Sequence, residues 1–320
     1  MFSGKRIVVT GGTGLIGQKV AKKLCDAGAK VFIVSLDDLI VDTRATHIFA
    51  DLSRFELCKE VTEGIDYVFH IAGVKGSVEV TRRQPASFFV PLLMMNTNIL
   101  EACRLNQVKK VLFTSSIGAY ADNEILKEDD AYKGEPMDTY PGWAKRMAEF
   151  QINAYKTQYG LDSFVITRLT AVYGEGDNFD PNNAMVIPSL IAKIVRGDNP
   201  IVIWGDGSPI RDFAYSEDIA NGILLAMQKG KGLYNLGSGR GYSIRNLVET
   251  LQEITRFNYE FDSTKPSGAK KRVMDISKAQ KELGYSPRTS LAEGLTRTYL
   301  WFAEHKGEYL KRKNYFTEVR

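Results

Sequence analysis

Ile7-Val8-Val9-Thr10-Gly11-Gly12-Thr13-Gly14-Leu15-Ile16-Gly17 passes from an apolar run into a glycine-rich turn and then into a helical pattern that continues through Val20 and Leu24. It reads as strand, tight turn and helix start. Gly11 permits the turn, Gly14 lets backbone approach a pyrophosphate, and Gly17 lets the helix pack closely on the strand. Backbone N–H groups at that helix start would face the phosphates. A glycine triplet alone can be a plain loop; the strand before it and the periodic helix after it supply the context that a dinucleotide turn requires.

Outward from this turn the chain alternates. Apolar strands are predicted at 6–10, 31–34, 47–50, 67–70, 111–115 and 164–168, with helices from Leu15, near 54–61, over 87–106 and over 142–159. Such alternation predicts a Rossmann-type α/β fold, a parallel sheet with helices on both faces and ligands at the carboxyl ends of its strands. After Tyr173 come a Gly-, Asp-, Asn- and Pro-rich loop (174–183), a helix at 186–196, a strand at 201–204, the turn 205–208, a helix at 216–227, a strand at 233–236 and a helix at 244–255. The expected organisation is a dinucleotide-binding domain over 1–173 and a smaller, mixed substrate-binding lobe over 174–320, interleaved with returns to the main sheet near 201–232.

With 320 residues, 44% of them apolar and 25% charged, the composition is that of a soluble globular protein and excludes a disordered chain. The glycines at 11–17 interrupt the N-terminal apolar stretch, so neither a secretory leader nor a membrane span is predicted, and the expected location is cytoplasmic. Cys25, Cys58 and Cys103 lack zinc spacing and read as buried or semi-buried thiols; His47, His70 and His305 do not suggest a metal centre. The net charge of +4 is mild and suits an anionic small substrate. Lys306, Lys311, Arg312 and Lys313 read as a solvated helical end rather than a nucleic-acid contact.

Asp51 directly follows the strand at 47–50. Its carboxylate is a candidate acceptor for an adenine amino group, with a helix-capping aspartate as the competing reading. An acid at the end of the second strand would read a ribose 2'-hydroxyl; here Ser35 follows Val34, and Asp37 and Asp38 come just after. Those acids favour NAD slightly over NADP, for which Arg44 is the candidate partner of a 2'-phosphate.

The segments TGGTGLIG (10–17), DYVFHIAG (66–73), KVLFTSSIGAY (110–120), WAKRMAEFQ (143–151), TRLTAVYGEGDNF (167–179), GDGSPIRDFAYSEDIANGI (205–223), YNLGSG (234–239) and VMDISKAQKELGYSPRTSLAEGL (273–295) run in one order over nearly the whole chain. Together they resemble the extended short-chain dehydrogenase/reductase family, particularly its nucleotide-sugar epimerases, dehydratases and 4-keto reductases. Residues 85–102 and 174–191 are similar to the GDP-fucose synthase group. The resemblance implies NAD(P), with Gly11, Gly14, Leu15, Ile16, Gly17, Asp37, Asp51, Leu52, Ala72 and Lys145 on the coenzyme side. It also implies a nucleotide-diphospho-sugar, GDP-linked in that group. Arg211 would face the diphosphate, Asn178 and Arg272 are candidates for the same anion, and Arg168 would brace the site. Charge agrees, because fixed guanidinium forks suit a diphosphate. A homodimer through two helices, one of them carrying Lys145, is implied by analogy.

Catalysis in that family uses a Ser or Thr, a Tyr and a Lys: the phenolate exchanges the hydroxyl proton while nicotinamide exchanges hydride, and the Lys lowers the Tyr pKa and holds the ribose. The Ser position falls on Ser116 and the Lys position on Lys145. One helical turn before Lys145 stands Pro141 in place of the Tyr, and the adjacent Tyr140 is rotated by about 100°, so it does not meet Lys145 as an i,i+4 pair. Three readings stay open. Pro141 can occupy the first helical turn with Tyr140 just outside it, and a shifted helix start then delivers Tyr140 as the catalytic phenol. Another group, such as Tyr120, Asp122 or a residue of the second lobe, can carry the proton. Or the chain binds coenzyme and sugar nucleotide with impaired or absent catalysis.

In the fucose synthase pattern a Cys two residues before the Tyr120 position and a His before Val-Ile-Pro handle protons at carbons 3 and 5. Here Gly118 and Met185 stand at those places, so the 3,5-epimerase half is expected to be absent unless an acid elsewhere compensates. Gly118 and Ala119 also lack the Asp-Glu pair of a 4,6-dehydratase, which weakens that alternative. His70 reads as positional, holding the glycine loop or neighbouring backbone. The expected activity is that of an NAD(P)-dependent nucleotide-sugar epimerase, reductase or dehydrogenase working by hydride transfer at the hexose C4, with Ser116, Tyr140 and Lys145 as the catalytic set and no metal.

Overall fold

Valine and isoleucine run through the first strand without polar interruption because both faces of the sheet that it joins are covered. The computed structural model describes residues 1–74, 76–180 and 183–309, with the backbone alone at Val78 and Glu308; Lys311, Arg312 and Lys313 of the basic cluster lie outside the described residues. In chain order the elements are β1 (Arg6–Thr10), α1 (Gly17–Asp26), β2 (Lys30–Ser35), β3 (Thr46–Phe49), α2 (Phe55–Thr62), β4 (Tyr67–His70), α3 (Val78–Arg83), α4 (Pro85–Leu105), β5 (Lys110–Ser116), β6 (Ile125–Leu126), α5 (Thr139–Tyr159), β7 (Phe164–Leu169), β8 (Ala171–Tyr173), α6 (Val186–Arg196), β9 (Ile201–Trp204), β10 (Ile210–Arg211), β11 (Phe213–Tyr215), α7 (Ser216–Lys229), β12 (Gly232–Leu236), β13 (Tyr242–Ser243), α8 (Ile244–Ile254), β14 (Tyr259–Asp262), β15 (Lys271–Met274), α9 (Ser277–Leu283) and α10 (Leu291–Tyr309). A short 3-10 turn, Ile117–Ala119, follows β5.

The main sheet has seven strands in the order β12-β7-β5-β4-β1-β2-β3, all parallel. Helices α1 and α7 pack on one face and α2, α4 and α5 on the other. Strand order reverses between β1 and β4, which opens a crevice at their carboxyl ends, the place where such sheets bind ligands. The return to this sheet is β12. Strand β9, expected among the returns, pairs instead with β14. Its burial alternates, Ile201 and Ile203 inward, Val202 and Trp204 outward, a pattern that a strand covered on both faces does not show. A separate sheet, β13-β10-β15-β6, sets Arg211 opposite Arg272.

Two helix starts differ from the sequence reading. Helix α1 begins at Gly17 rather than Leu15. Helix α5 begins at Thr139, so Tyr140 lies inside its first turn together with Pro141. That turn tolerates proline because its N–H groups have no intrahelical partner. Helix α4 is long and apolar enough, by composition, to cross a bilayer, a feature the sequence reading did not predict. Its Phe88, Leu92, Asn96, Ile99 and Leu100 are buried in the fold. All three cysteines are buried free thiols, and burial pushes Cys58 up to about 12.

One buried ion pair ties the sheet to its helical cover. Arg168 of β7 donates from Nε to Glu149 Oε1 at 2.9 Å and from Nη2 to Glu149 Oε2 at 2.6 Å. Both side chains are fully buried. Ser115 of β5 donates to the same carboxylate, and Arg168 also reaches the Ala131 carbonyl at 2.9 Å and stacks 4.1 Å over the Tyr120 ring. Removing one partner leaves the other charge buried and uncompensated. Arg168→Met is expected to cost about 3–5 kcal/mol in urea unfolding, and the double variant Arg168→Met/Glu149→Leu to recover most of that loss.

Candidate active site

The glycine turn is built for two different reasons. Gly11 has φ +64°, and a Cβ there would stand 2.7 Å from the Ala72 Cα. A Cβ on Gly17 would meet the Gly12 Cα at 2.7 Å, so these two glycines serve the fold's own packing. Gly14 is different. A Cβ there would touch only the Gly11 carbonyl oxygen, at an ordinary 3.4 Å, so packing within the protein does not demand glycine. The N-terminus of α1 beside it has no side-chain cap and no acid in its first turn. An uncapped helix start with open space in front of Gly14 fits a pyrophosphate.

Asp37 is fastened to this turn, accepting from Thr13 Oγ1 at 2.8 Å and from the Leu39 N–H at 3.2 Å. Arg44 is held by Asp42 and, at 2.7 Å, by Asp26, so its guanidinium is already engaged by carboxylates. Asp51 accepts from the Ser53 N–H at 3.0 Å in an Asx turn. The N-cap of α2 is Arg54, which removes the capping reading of Asp51. Leu52 is buried and its carbonyl accepts from Asn98 at 3.2 Å.

A buried polar thread runs beneath the turn. The Ala72 N–H donates to Thr10 Oγ1 at 3.2 Å, Thr10 Oγ1 donates to His70 Nδ1 at 2.7 Å, and His70 Nε2 donates to Asn96 Oδ1 at 2.9 Å. This assignment gives each ring nitrogen its matching partner. Burial, and after it the charge of Lys145, brings His70 down to about 3, so the ring is neutral. His70 thus joins the end of β1 to α4, a positional role.

Ser116 ends β5, and its Oγ accepts from the Gly118 N–H at 3.1 Å. Lys145 projects inward from α5, donating to the Thr114 carbonyl at 2.8 Å with its Nζ 4.8 Å over the Phe113 ring; burial lowers its pKa to about 8. Tyr140 takes another direction: its ring lies edge-on to Phe89 of α4 at 6.0 Å and is 45% exposed. The phenol is not paired with Lys145, because Tyr140 is one residue out of phase with the helical face that carries the lysine. Tyr120 is a core residue. Its hydroxyl donates to Asn235 Oδ1 at 2.7 Å, and burial drives its pKa upward.

Among the anion candidates, Arg211 donates to the Ile210 and Ala269 carbonyls at 2.8 and 2.7 Å, and Arg272 pairs with Asp122 at 2.9 Å. Asn178 is engaged elsewhere, its Oδ1 accepting from the Asp180 N–H at 3.1 Å and from Tyr309 at 2.9 Å, which ties Asn178 to α10. Asp138 was not singled out in the sequence. It is the N-cap of α5, and its side chain fills the volume in front of Gly118, where an added Cβ would stand 2.8 Å from both its Cβ and its Cγ. Only contact across two segments exposes this; the local signal was an aspartate at a helix start with a proline three residues on.

Residues 7–237 match the model of the NAD dependent epimerase/dehydratase family. A probable GDP-L-fucose synthase of Oryza sativa is 31% identical over 317 residues, covering 94% of this chain and 93% of that protein. The Thermotoga maritima UDP-glucose 4-epimerase, solved with UDP-glucose, superposes with a TM-score of 0.83 at 29% identity, covering 94% of this chain and 99% of that one. The Thermus thermophilus UDP-glucose 4-epimerase, solved with NAD, gives 0.79 at 26% identity over 93% and 98%.

The neutral His70 sets a pH dependence. Its folded pKa of about 3 lies below the ordinary 6.5, so the unfolded chain takes up the extra proton. Its contribution is complete above the ordinary value and is expected to fall by about 1.4 kcal/mol per unit as pH drops between the two. Urea midpoints measured across that range are expected to show the slope, and His70→Asn to flatten it.

Proposed function

Because this chain belongs to the NAD dependent epimerase/dehydratase family, we propose that it is an NAD(P)-dependent nucleotide-sugar epimerase or oxidoreductase that transfers hydride at the hexose C4. The observation that carries this reading is the convergence, at the carboxyl ends of β1, β4 and β5, of the open glycine turn, the inward-pointing Lys145 and the Ser116 hydroxyl. When bound, the coenzyme supplies a nicotinamide that accepts and returns hydride. The glycine turn and the α1 N-terminus would hold its pyrophosphate, and Asp37 a ribose hydroxyl. Lys145 would position the second ribose, and Ser116 would polarise the sugar oxygen. NAD is favoured over NADP, since Arg44 is already paired and a 2'-phosphate would meet the Asp37 carboxylate.

Arg211 and Arg272 lie side by side with Asp122 as a carboxylate partner of the pair. Such a pair suits a diphosphate, and a nucleotide-diphospho-hexose, GDP-linked as in the rice relative's name, is the proposed substrate class. A homodimer is proposed as well. Val90 and Met94 on α4, and Met147 and Phe150 on α5, leave an exposed apolar stripe on two packed helices. Met147→Glu/Phe150→Glu is expected to halve the mass measured by light scattering.

Pro141 favours a second reading, binding without turnover. Mixing the protein and NAD or NADP with GDP-, UDP-, dTDP- and CDP-hexoses separates the two. Reduced-coenzyme absorbance or label exchange at C4 is expected with at least one sugar, and Ser116→Ala is expected to lower kcat about 100-fold or more. Binding with neither signal would leave the second reading standing.

A further inference from the structure

Oxidising a carbinol removes two things, a hydride from carbon and a proton from oxygen. The proton needs an acceptor next to Ser116. Tyr120 spends its hydroxyl on Asn235, and Tyr140 is turned to Phe89 on α4. Asp122 is paired with Arg272.

Asp138 remains. An N-cap aspartate ordinarily turns back to accept from the N–H of the second or third helical residue. In α5 those residues are Tyr140 and Pro141, and proline has no N–H to offer. The Asp138 side chain makes no capping bond. It extends instead across the 3-10 turn after β5, into the volume in front of Gly118, the residue whose N–H is bonded to Ser116 Oγ. The two segments are locked together there, because the Asp138 N–H donates to the Gly118 carbonyl at 3.2 Å and a Cβ on Gly142 would collide with that same carbonyl.

We propose that Asp138 is the acid/base residue of this site, a carboxylate delivered from the N-cap of α5 in place of a phenol on the helix. The inference rests on the nucleotide-sugar reading above. As the sugar O–H bond breaks, its proton passes to Asp138 Oδ; the electron pair of the C–H bond leaves as hydride to the nicotinamide coenzyme, the oxidant, and a C=O bond forms. Reduction runs the same exchange backwards. Asp138 is exposed to solvent, and partial desolvation by the surrounding protein raises its carboxyl above the ordinary range. The charged groups that act on it are Arg272 of β15, which opposes the rise, and Asp122, which adds to it.

Asp138→Asn tests the assignment. With a sugar that the wild type oxidises, the variant is expected to lose about 100-fold or more in kcat while binding coenzyme and sugar nucleotide with unchanged affinity. Oxidation by the wild type needs the ionised carboxylate, so its rate is expected to fall as pH drops through a titration above the ordinary carboxyl range. The variant is expected to lack that limb. A readout independent of turnover is the carbon-13 carboxyl spectrum of aspartate-labelled protein without coenzyme. The signal absent from Asp138→Asn is expected to titrate high and to shift when the sugar nucleotide is added. An Asp138→Asn protein that turns over at the wild-type rate overturns the proposal, as does activity that survives in it and vanishes in Tyr140→Phe. A loss of rate matched by a loss of binding overturns it too. Wild type silent with every sugar would instead bring down the functional reading beneath it.

Discussion

The bidentate pair between Arg168 and Glu149 holds the rest of the site in register. It joins the carboxyl-terminal end of β7 to α5, and through Ser115 it takes in β5 as well. Ser116 is the next residue along that strand, so its side chain turns to the opposite face, and Lys145 sits one turn before Glu149 on the same side of α5. Fixing the Glu149 carboxylate therefore fixes the rotation of α5, and with it the depth of the lysine. A buried pair of this kind contributes little net stability, but it admits few other arrangements.

Around that brace the electrostatics follow one trend. Burial holds His70 neutral, lowers Lys145 to about 8 and raises Asp138, so these three groups are pushed toward their uncharged forms. Arg211 and Arg272 lie opposite each other on the neighbouring sheet.

Local patterns in the sequence were enough for the main sheet, because its strands are continuous apolar runs and its first turn carries glycines whose spacing has a steric reason. The central strands at 6–10 and 67–70 lie where periodicity put them, and Ser116 and Lys145 stand at the carboxyl end of the sheet as expected. What local reading missed depends on contacts between distant segments. The one-sided burial of β9 follows from pairing with β14, more than fifty residues later. Arg44 is held by its neighbour Asp42 and also by Asp26 at the end of α1, eighteen residues earlier. Pro141 was visible as a missing phenol. Its other effect, withholding a donor from the aspartate three positions earlier, emerged only once α5 was seen to start at Thr139.

Gly118 and Asp138 share one volume from two separate parts of the chain. Evolution can therefore exchange the residue that fills it without moving the backbone: a side chain at 118 demands a small or retracted residue at 138, and a bare 118 admits a carboxylate. The two positions are coupled sterically.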